Sequence, residues 1–267
     1  MWYEILVYQG SEMAEAAVAI LQTREEEESI LLIRRAEREG DSWSGHWSFP
    51  GGRRDREDRD LLATALRELE EECGIRLGRE RLETTLPHRV ARRKAPPYLT
   101  VAPFVFRVEG QLPTVLDPRE AAGAAWVPLD RLRDPGAHRL RAVPHRPANM
   151  LFPAVDLCGP PLWGFTYRLI TSWLDLDPKC RPIERAGAEA AGVVLDFLLA
   201  QGLTLERGWA GRAAAVKGAI PVDRVLEHFS APAGYLPGVN CLEVHADQIR
   251  MAGLAWEEYR IGSKSTA

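Results

Sequence analysis

The sequence predicts an α/β or α+β sandwich over residues 1–176, followed by a mainly helical extension over 177–267. Three observations predict it. Short, apolar, partly β-branched runs recur between turn-rich segments in the first part of the chain, as buried strands do. One segment, residues 60–73, switches to a helical period. Beyond Asp177 the style changes to alanine-rich, helix-favouring stretches.

In chain order, Ala16 to Gln22 (AAVAILQ) and Ser29 to Arg34 (SILLIR) read as two buried strands, separated by the acidic run Glu25 to Glu28. The segment RRAEREGDSWSGHWSFPGG holds too much Gly, Ser and Pro for a regular element and reads as a loop with one short strand around Trp47 to Phe49. From Asp60 to Cys73, residues Leu62, Leu66, Leu69 and Cys73 fall at i, i+4, i+7 and i+11, one stripe of an α-helix, and Gly74 is its stop. Strands follow at Tyr98 to Val108 and Ala121 to Val127, with turn chemistry at Gly110 to Pro118 between them and a short helix opening at Leu129 to Leu132. Leu162 to Leu176 has aromatic and aliphatic residues spaced to pack one side of a helix. In the extension, helices are expected at Arg185 to Ala200, Val222 to Phe229 and Ala246 to Tyr259.

Composition narrows the function. Hydrophobic residues at 46% and charged residues at 27% are globular proportions, not those of a disordered chain. With 34 basic and 38 acidic side chains the net charge is -4, which supplies no general attraction to nucleic acid or to an anionic membrane. Cys73, Cys158, Cys180 and Cys241 have neither the density of a disulfide scaffold nor CxxC metal spacing, and are read as reduced thiols. The segment MWYEILVYQGSEM has neither a basic n-region nor the long apolar stretch of a signal peptide, and no later run approaches the ~20 residues of a membrane span. A soluble, cytoplasmic protein is expected.

The chemistry concentrates in GGRRDREDRDLLATALRELEEECGI, Gly51 to Ile75. On the helix, Glu68, Glu71 and Glu72 sit at i, i+3 and i+4, so their carboxylates project within a few ångströms of each other. Three like charges that close repel unless a cation neutralises them, and hard carboxylate oxygens favour Mg²⁺, with Mn²⁺ as an alternative. The leucine stripe is expected to face away from the glutamates. Arg67 can grip a carboxylate or a phosphate bidentately. The competing reading of RELEEE is a solvated acidic helix face.

RELEEECGI resembles the second half of the Nudix box, REUxEExGU with U aliphatic, at Arg67, Glu68, Leu69, Glu71, Glu72, Gly74 and Ile75. In the first half, Arg59 stands where counting back from Arg67 places a glutamate. Counting forward from Gly52 places it at Asp58, so one extra residue separates the halves. FPGG (Phe49 to Gly52), the pair Asp55 and Asp58, and ALRE (Ala65 to Glu68) are similar to the coenzyme A pyrophosphatase branch of that family. Upstream, Leu31, Leu32, Arg35, Ala36 and Gly45 fit that branch, while its arginine and histidine before the glycine are absent. The resemblance covers residues 13–176 in architecture, and its specific motif spans Phe49 to Ile75.

The resemblance implies a Mg²⁺-dependent hydrolase of a nucleoside diphosphate derivative, with coenzyme A-like molecules leading and ADP-ribose or dinucleotides behind. Glu68, Glu71 and Glu72 would hold the metal with a carbonyl of Gly51 or Gly52. Glu71, Glu72, Arg67 and the loop residue Glu120 would be catalytic, Glu120 as general base. Gly51, Gly52, Arg35 and Phe49 would line the substrate. Glu120 reads equally as an exposed loop carboxylate. His46 reads as a phosphate contact or a satisfied loop residue, and His88 to Lys94 as an anion-binding wall or a solvated turn. Trp43 and Trp47 read as stacking or packed residues, and Cys73 as core. Residues 177–267 carry about as many acidic as basic side chains, so no nucleic acid or membrane partner is expected; the extension is expected to cover the cleft or build a homodimer contact. The rival is a non-catalytic ligand sensor or regulatory protein that uses this region for a partner.

Overall fold

The computed structural model describes residues 14–41, 43–92, 99–148, 150–174, 176, 204–206, 213–217, 239–244 and 248–253. The chain parts into two compact units, Met1–Arg131 and Leu132–Ala267.

The first unit is organised by β1 (Ala14–Thr23), β2 (Ser29–Arg35), β3 (Trp47–Ser48) and β4 (Gly51–Arg53), then α1 (Leu61–Cys73), β5 (Leu82–Thr85), β6 (Arg89–Arg92), β7 (Leu99–Val108) and β8 (Ala121–Pro128). The sheet runs β3-β2-β1-β7-β5, with β4 on β1, β6 on β7 and β8 on β2. It is mixed, because β1 pairs β7 in parallel while β2 and β4 pair β1 antiparallel. Parallel pairing needs a crossover, and the long connection containing α1 supplies it.

Period-two alternation explains the core. Ala17, Ala19 and Leu21 of β1, Leu31 and Ile33 of β2, and Ala102, Phe104 and Phe106 of β7 share one buried face with Ala65, Leu69 and Cys73 of α1. Ile20, Ile30 and Leu32 point the other way and are also fully buried. These strands therefore read as continuous apolar runs rather than alternating ones. Truncating Leu69 to alanine in this packing costs roughly 2–5 kcal/mol.

The helix begins and ends where its caps dictate. Asp60 accepts a hydrogen bond from the Ala63 N–H at 2.9 Å. Gly74 adopts φ 68 and donates its N–H to the Glu70 carbonyl at 2.8 Å, closing the helix in the left-handed conformation that glycine permits. The expected leucine stripe packs as anticipated, Leu62 and Leu66 partly and Leu69 and Cys73 fully.

Several short strands lie where the sequence shows only turn residues. Gly51–Arg53 is β4 because Ala17 and Val18 of β1 offer free ladder positions opposite Gly52 and Gly51. Residues Arg89–Arg92 of the basic segment are strand β6 against β7, not a turn.

The second unit begins within α2 (Leu129–Arg133) and continues through β9 (His138–Ala142), β10 (Met150–Val155), β11 (Leu162–Trp163) and α3 (Gly164–Trp173). It then holds β12 (Thr204–Glu206), β13 (Ala213–Lys217), β14 (Val239–Val244) and β15 (Gln248–Gly253). Its sheet runs β11-β10-β14-β15-β13-β12, with β9 on β10. The division expected at residue 176 therefore differs from the observed one, and the reason is the register Met150↔Glu243 and Leu151↔Leu242, which joins the strands on either side of that point in one sheet.

The expected helix Leu162 to Leu176 starts two residues later, after Leu162 and Trp163 pair with β10. The described part of the extension is strand, not helix. Residues 248–253, inside the expected helix Ala246 to Tyr259, pair on both sides with β13 and β14, and such ladders outweigh weak local helix preference. The expected helices at 185–200 and 222–229 lie outside the described residues. Among the described residues no helix is long and apolar enough to cross a membrane.

Candidate functional site

The site assembles where α1 passes beside the β4 turn. The Gly51 N–H donates to Glu72 Oε2 at 2.8 Å. A Cβ on Gly52 would collide with the Glu68 carboxylate, and one on Gly51 would run into the Ala17 carbonyl and the Val18 backbone. Thus the two glycines admit two carboxylates and strand β1 against the turn, a close approach no other residue allows.

Glu72 is 2% exposed, on the packed side of α1 with Leu69 and Cys73. This corrects the expectation that the glutamates face away from the apolar stripe: Glu72 turns inward because β4 offers it a backbone donor. Burial pushes its carboxyl up to about 8, and the charges of Glu68 and Glu120 add to that, while the Gly51 N–H and Arg35 oppose it. Burial likewise raises Glu68, with Glu71 and Glu120 contributing and Arg67 opposing. Two adjacent carboxylates that resist ionisation form a pair that a bound cation would stabilise.

Arg67 is committed to carboxylates of its own chain. Its Nε and Nη2 donate to Asp58 Oδ1 at 3.1 Å and Oδ2 at 3.0 Å, and Nη2 also reaches the Arg53 carbonyl at 3.0 Å. Nη1 reaches Glu71 Oε2 at 2.8 Å and Glu68 Oε1 at 2.9 Å. Of the two anions expected for Arg67, the structure pairs it with carboxylate. Hydrogen bonds from Arg67 hold Asp58 well down, at about 2, despite its burial. The pairing also resolves the extra residue in the motif. Asp58, the residue that counting forward from Gly52 reaches, takes the arginine, while Arg59 lies near Asp60.

Glu71 is half exposed and bonded to Arg67. With Glu72 held by Gly51 and Glu71 drawn to Arg67, no three His, Cys, Asp or Glu side chains among the described residues are gathered as a metal cage. The donor chemistry nonetheless fits a hard divalent cation. Glu68 and Glu72 are neighbours on one helix face, both destabilised as anions, and the turn presents backbone beside them.

Glu120 arrives from the opposite side. Strand register sets Arg35 opposite Ala121, so the Ala36 N–H donates to the Glu120 carbonyl at 2.9 Å. Its carboxylate is 42% exposed and pairs with Arg38 at 3.2 Å. Its charge adds to the upward push on both Glu68 and Glu72.

Of the expected substrate contacts, Arg35 reaches Asp41 Oδ2 at 3.1 Å through Nη2, its buried Nε has no hydrogen-bond partner, and its charge acts on Glu72. Phe49, in contrast, is 3% exposed and belongs to the core. His46 is buried in the loop, where its carbonyl accepts from the Arg35 N–H at 3.0 Å. Asp41 sits below the usual carboxylate range; burial works against this, but the Trp43 N–H, Arg35 and the charge on His46 outweigh it. Trp47 is packed, and Trp43 is exposed. Cys73 is core, its thiol pushed up to about 12 by burial. Residues 93 and 94 of the basic segment lie outside the described residues. Sequence reasoning passed over Arg38, Asp41 and Ser44, which sit in no motif and meet only through the loop's folded path.

Comparison with known proteins agrees with this geometry. The NUDIX domain profile matches residues 13–146. An uncharacterized protein of Schizosaccharomyces pombe is 38% identical over 104 residues, 38% of this chain and 32% of that protein. The uncharacterized Nudix hydrolase NudL of Yersinia pestis is 33% identical over 117 residues, 43% of this chain and 55% of that protein. The chain thus spans about a third to about half the length of these curated relatives. Among solved structures, the NUDIX domain of Shewanella oneidensis NrtR complexed with ADP ribose is 18% identical at a TM-score of 0.42, covering 62% of this chain and 90% of that one. A C. elegans Ap4A hydrolase binary complex is 21% identical at 0.35, covering 44% and 82%. With half of its length matched by the profile, across the β4 turn, the whole of α1 and the Glu120 loop, this chain belongs to the NUDIX domain family.

Proposed function

We propose that the protein is a divalent-metal-dependent hydrolase of the diphosphate linkage in a nucleoside diphosphate derivative. The observation that carries this reading is the pair Glu68 and Glu72, set against the Gly51–Gly52 turn with both carboxyls disfavoured as anions. Such a pair costs stability unless the site uses it. A sensor that binds ligand without metal has no physical reason to keep it, which favours the enzyme over the regulatory reading.

Glu68, Glu71 and Glu72, with a carbonyl of the glycine turn, would hold Mg²⁺, with Mn²⁺ as substitute. When bound, such a cation neutralises the diphosphate and acidifies a water for attack at phosphorus. Arg67 keeps Glu68 and Glu71 on the metal side and braces the loop through Asp58. Glu120 accepts the proton of the attacking water as general base. Arg35, whose Nε is buried without a partner, contributes positive charge beside the substrate phosphates.

Coenzyme A-like molecules lead the substrate class on the FPGG, Asp55–Asp58 and ALRE pattern, ahead of ADP-ribose and dinucleotides. A cytoplasmic setting goes with four scattered cysteines that have neither disulfide-scaffold density nor CxxC spacing. The test is a panel of such diphosphates with Mg²⁺ or Mn²⁺, read by mass spectrometry so that compound and cleaved bond are both seen. Release of a phosphomonoester from at least one member, abolished by chelation, is expected. No turnover of any member, with or without metal, sinks the reading.

A further inference from the structure

We infer that Arg38 is the positioning residue for Glu120, a clasp that crosses from one loop to another and fixes where the carboxylate points. The inference rests on the proposed hydrolase reading and deepens it.

The clasp begins with a fixed backbone. The buried Ser44 hydroxyl accepts from the Arg38 N–H at 2.8 Å and donates to the Arg38 carbonyl at 2.8 Å, pinning that residue on both sides. The Asp41 N–H donates to the same carbonyl at 3.2 Å, and the Ser44 N–H to the Asp41 carbonyl at 3.1 Å. Asp41 in turn accepts from the Trp43 N–H at 2.9 Å and from Arg35 at 3.1 Å. Arg35, Arg38, Asp41, Trp43 and Ser44 are thereby tied into a hydrogen-bonded loop that fixes the Arg38 backbone.

From that base the guanidinium spans to the loop before β8. Nε donates to the Arg119 carbonyl at 3.1 Å, Nη2 donates to the same carbonyl, and Nη2 also donates to Glu120 Oε1 at 3.2 Å. The receiving loop is a turn built on Asp117, whose carbonyl accepts from the Glu120 N–H at 2.9 Å and the Ala121 N–H at 2.8 Å. A planar fork that bonds both a backbone carbonyl and the next carboxylate fixes where that carboxylate points, which a lysine's single charge does not.

Arg38 and Glu120 are 47% and 42% exposed, and ion pairs that exposed contribute little to stability. The arrangement is therefore geometrically specific without being needed for the fold. It works through position, and a general base displaced by about an ångström loses roughly tenfold to a hundredfold in rate.

Kinetics decide it, with coenzyme A, ADP-ribose and a diadenosine polyphosphate as probes and Mg²⁺ saturating. Arg38→Ala is expected to lower kcat by roughly 10- to 100-fold with KM within about twofold and an unchanged thermal melt. Arg38→Lys is expected to recover part of the rate. The double variant Arg38→Ala with Glu120→Gln is expected to be no slower than Glu120→Gln alone, because an arm without its carboxylate has nothing to place. If Arg38→Ala melts early, Arg38→Gln carries the same comparison. Wild-type kcat in Arg38→Ala, a rise in KM at constant kcat, or fully multiplicative losses in the double variant each overturn the inference. Glu120→Gln turning over at the wild-type rate instead removes the general base itself, which is a failure of the proposed mechanism and not of the clasp alone.

Discussion

The Gly51 N–H and Glu72 Oε2 meet at 2.8 Å, joining a two-glycine turn to a carboxylate that is 2% exposed. A single backbone donor only partly offsets the burial of a charge, which is why the Glu72 carboxyl sits at about 8 rather than in the ordinary acid range. A group so placed is poised for a cation, and its removal should separate activity from stability.

Glu72→Gln keeps the shape and the acceptor for Gly51 but discards the charge. The expected outcome is a fall in kcat of about 100-fold or more on the best diphosphate, with a melting temperature equal to or above wild type. Activity within severalfold of wild type, or a clear drop in melting temperature, contradicts the assignment of Glu72 to the metal site.

The two glycines should fail differently. At Gly52 a Cβ meets the end of the Glu68 side chain, which can swing aside, so Gly52→Ala should fold and lose activity. At Gly51 it meets the backbone of β1 at Ala17 and Val18, which cannot, so Gly51→Ala should destabilise the protein by roughly 2 kcal/mol or more. Thermal melts and turnover on both variants check this; equal melts contradict it.

Asp58 is held at about 2 by Arg67, against an ordinary aspartate value of 3.8. Because the folded state binds the proton less readily than the unfolded one, the stabilisation is present above about pH 4 and is lost as pH falls toward 2. It amounts to about 2 kcal/mol. Asp58→Asn should therefore destabilise the protein near neutrality and flatten its stability between pH 4 and 2. Denaturant titrations across that range would show a wild-type slope there if Asp58 is not the responsible group.

His138 reports on the second unit. It is buried, with its ring nitrogens at 2.9 Å from the Tyr167 hydroxyl and 3.0 Å from the Leu132 carbonyl, and burial lowers its pKa although Leu132 and Asp134 oppose this. The unfolded chain takes up this proton first, so stability should fall as pH drops through about 6.5. Amide protection factors at β9 and α3, exchange rates corrected for the intrinsic pH dependence, should fall from pH 7 to 5, and His138→Gln should remove that fall. Identical profiles in the two proteins would exclude His138 as the cause.

Much of this was legible in the residues themselves. The helix Leu61–Cys73 announces itself through Asp60, a four-residue leucine period and Gly74, all local signals. The buried strands β1, β2 and β7 and the half-buried β8 announce themselves through apolar runs too long for loops. RELEEE, downstream of GGRRDREDRD, sets the carboxylates and their arginine on one helix by spacing, and the FPGG turn and Gly74 around it point to a site. By contrast, β4, β6 and β9 are short and carry turn or basic residues, and they exist because a neighbouring strand had an open ladder.

What only the tertiary structure decided are matters of partner rather than pattern. Periodicity put Glu72 beside Glu68 and Glu71 on an outward face; the donor on Gly51 turned it inward. Arg67 could have taken a phosphate or a carboxylate, and the fold brought Asp58 to it from nine positions away. Glu120 reads from the sequence as a base or as a surface carboxylate, and strand register is what sets it beside Ala36 and within reach of Arg38. Residues 239–244, in a region the sequence reads as mainly helical, joined the sheet of β10 through backbone pairing. Local sequence determines which segments are helical or apolar because those properties depend on neighbours a few residues apart. Which charge meets which, and which strand finds an edge, depends on residues brought together by the whole fold.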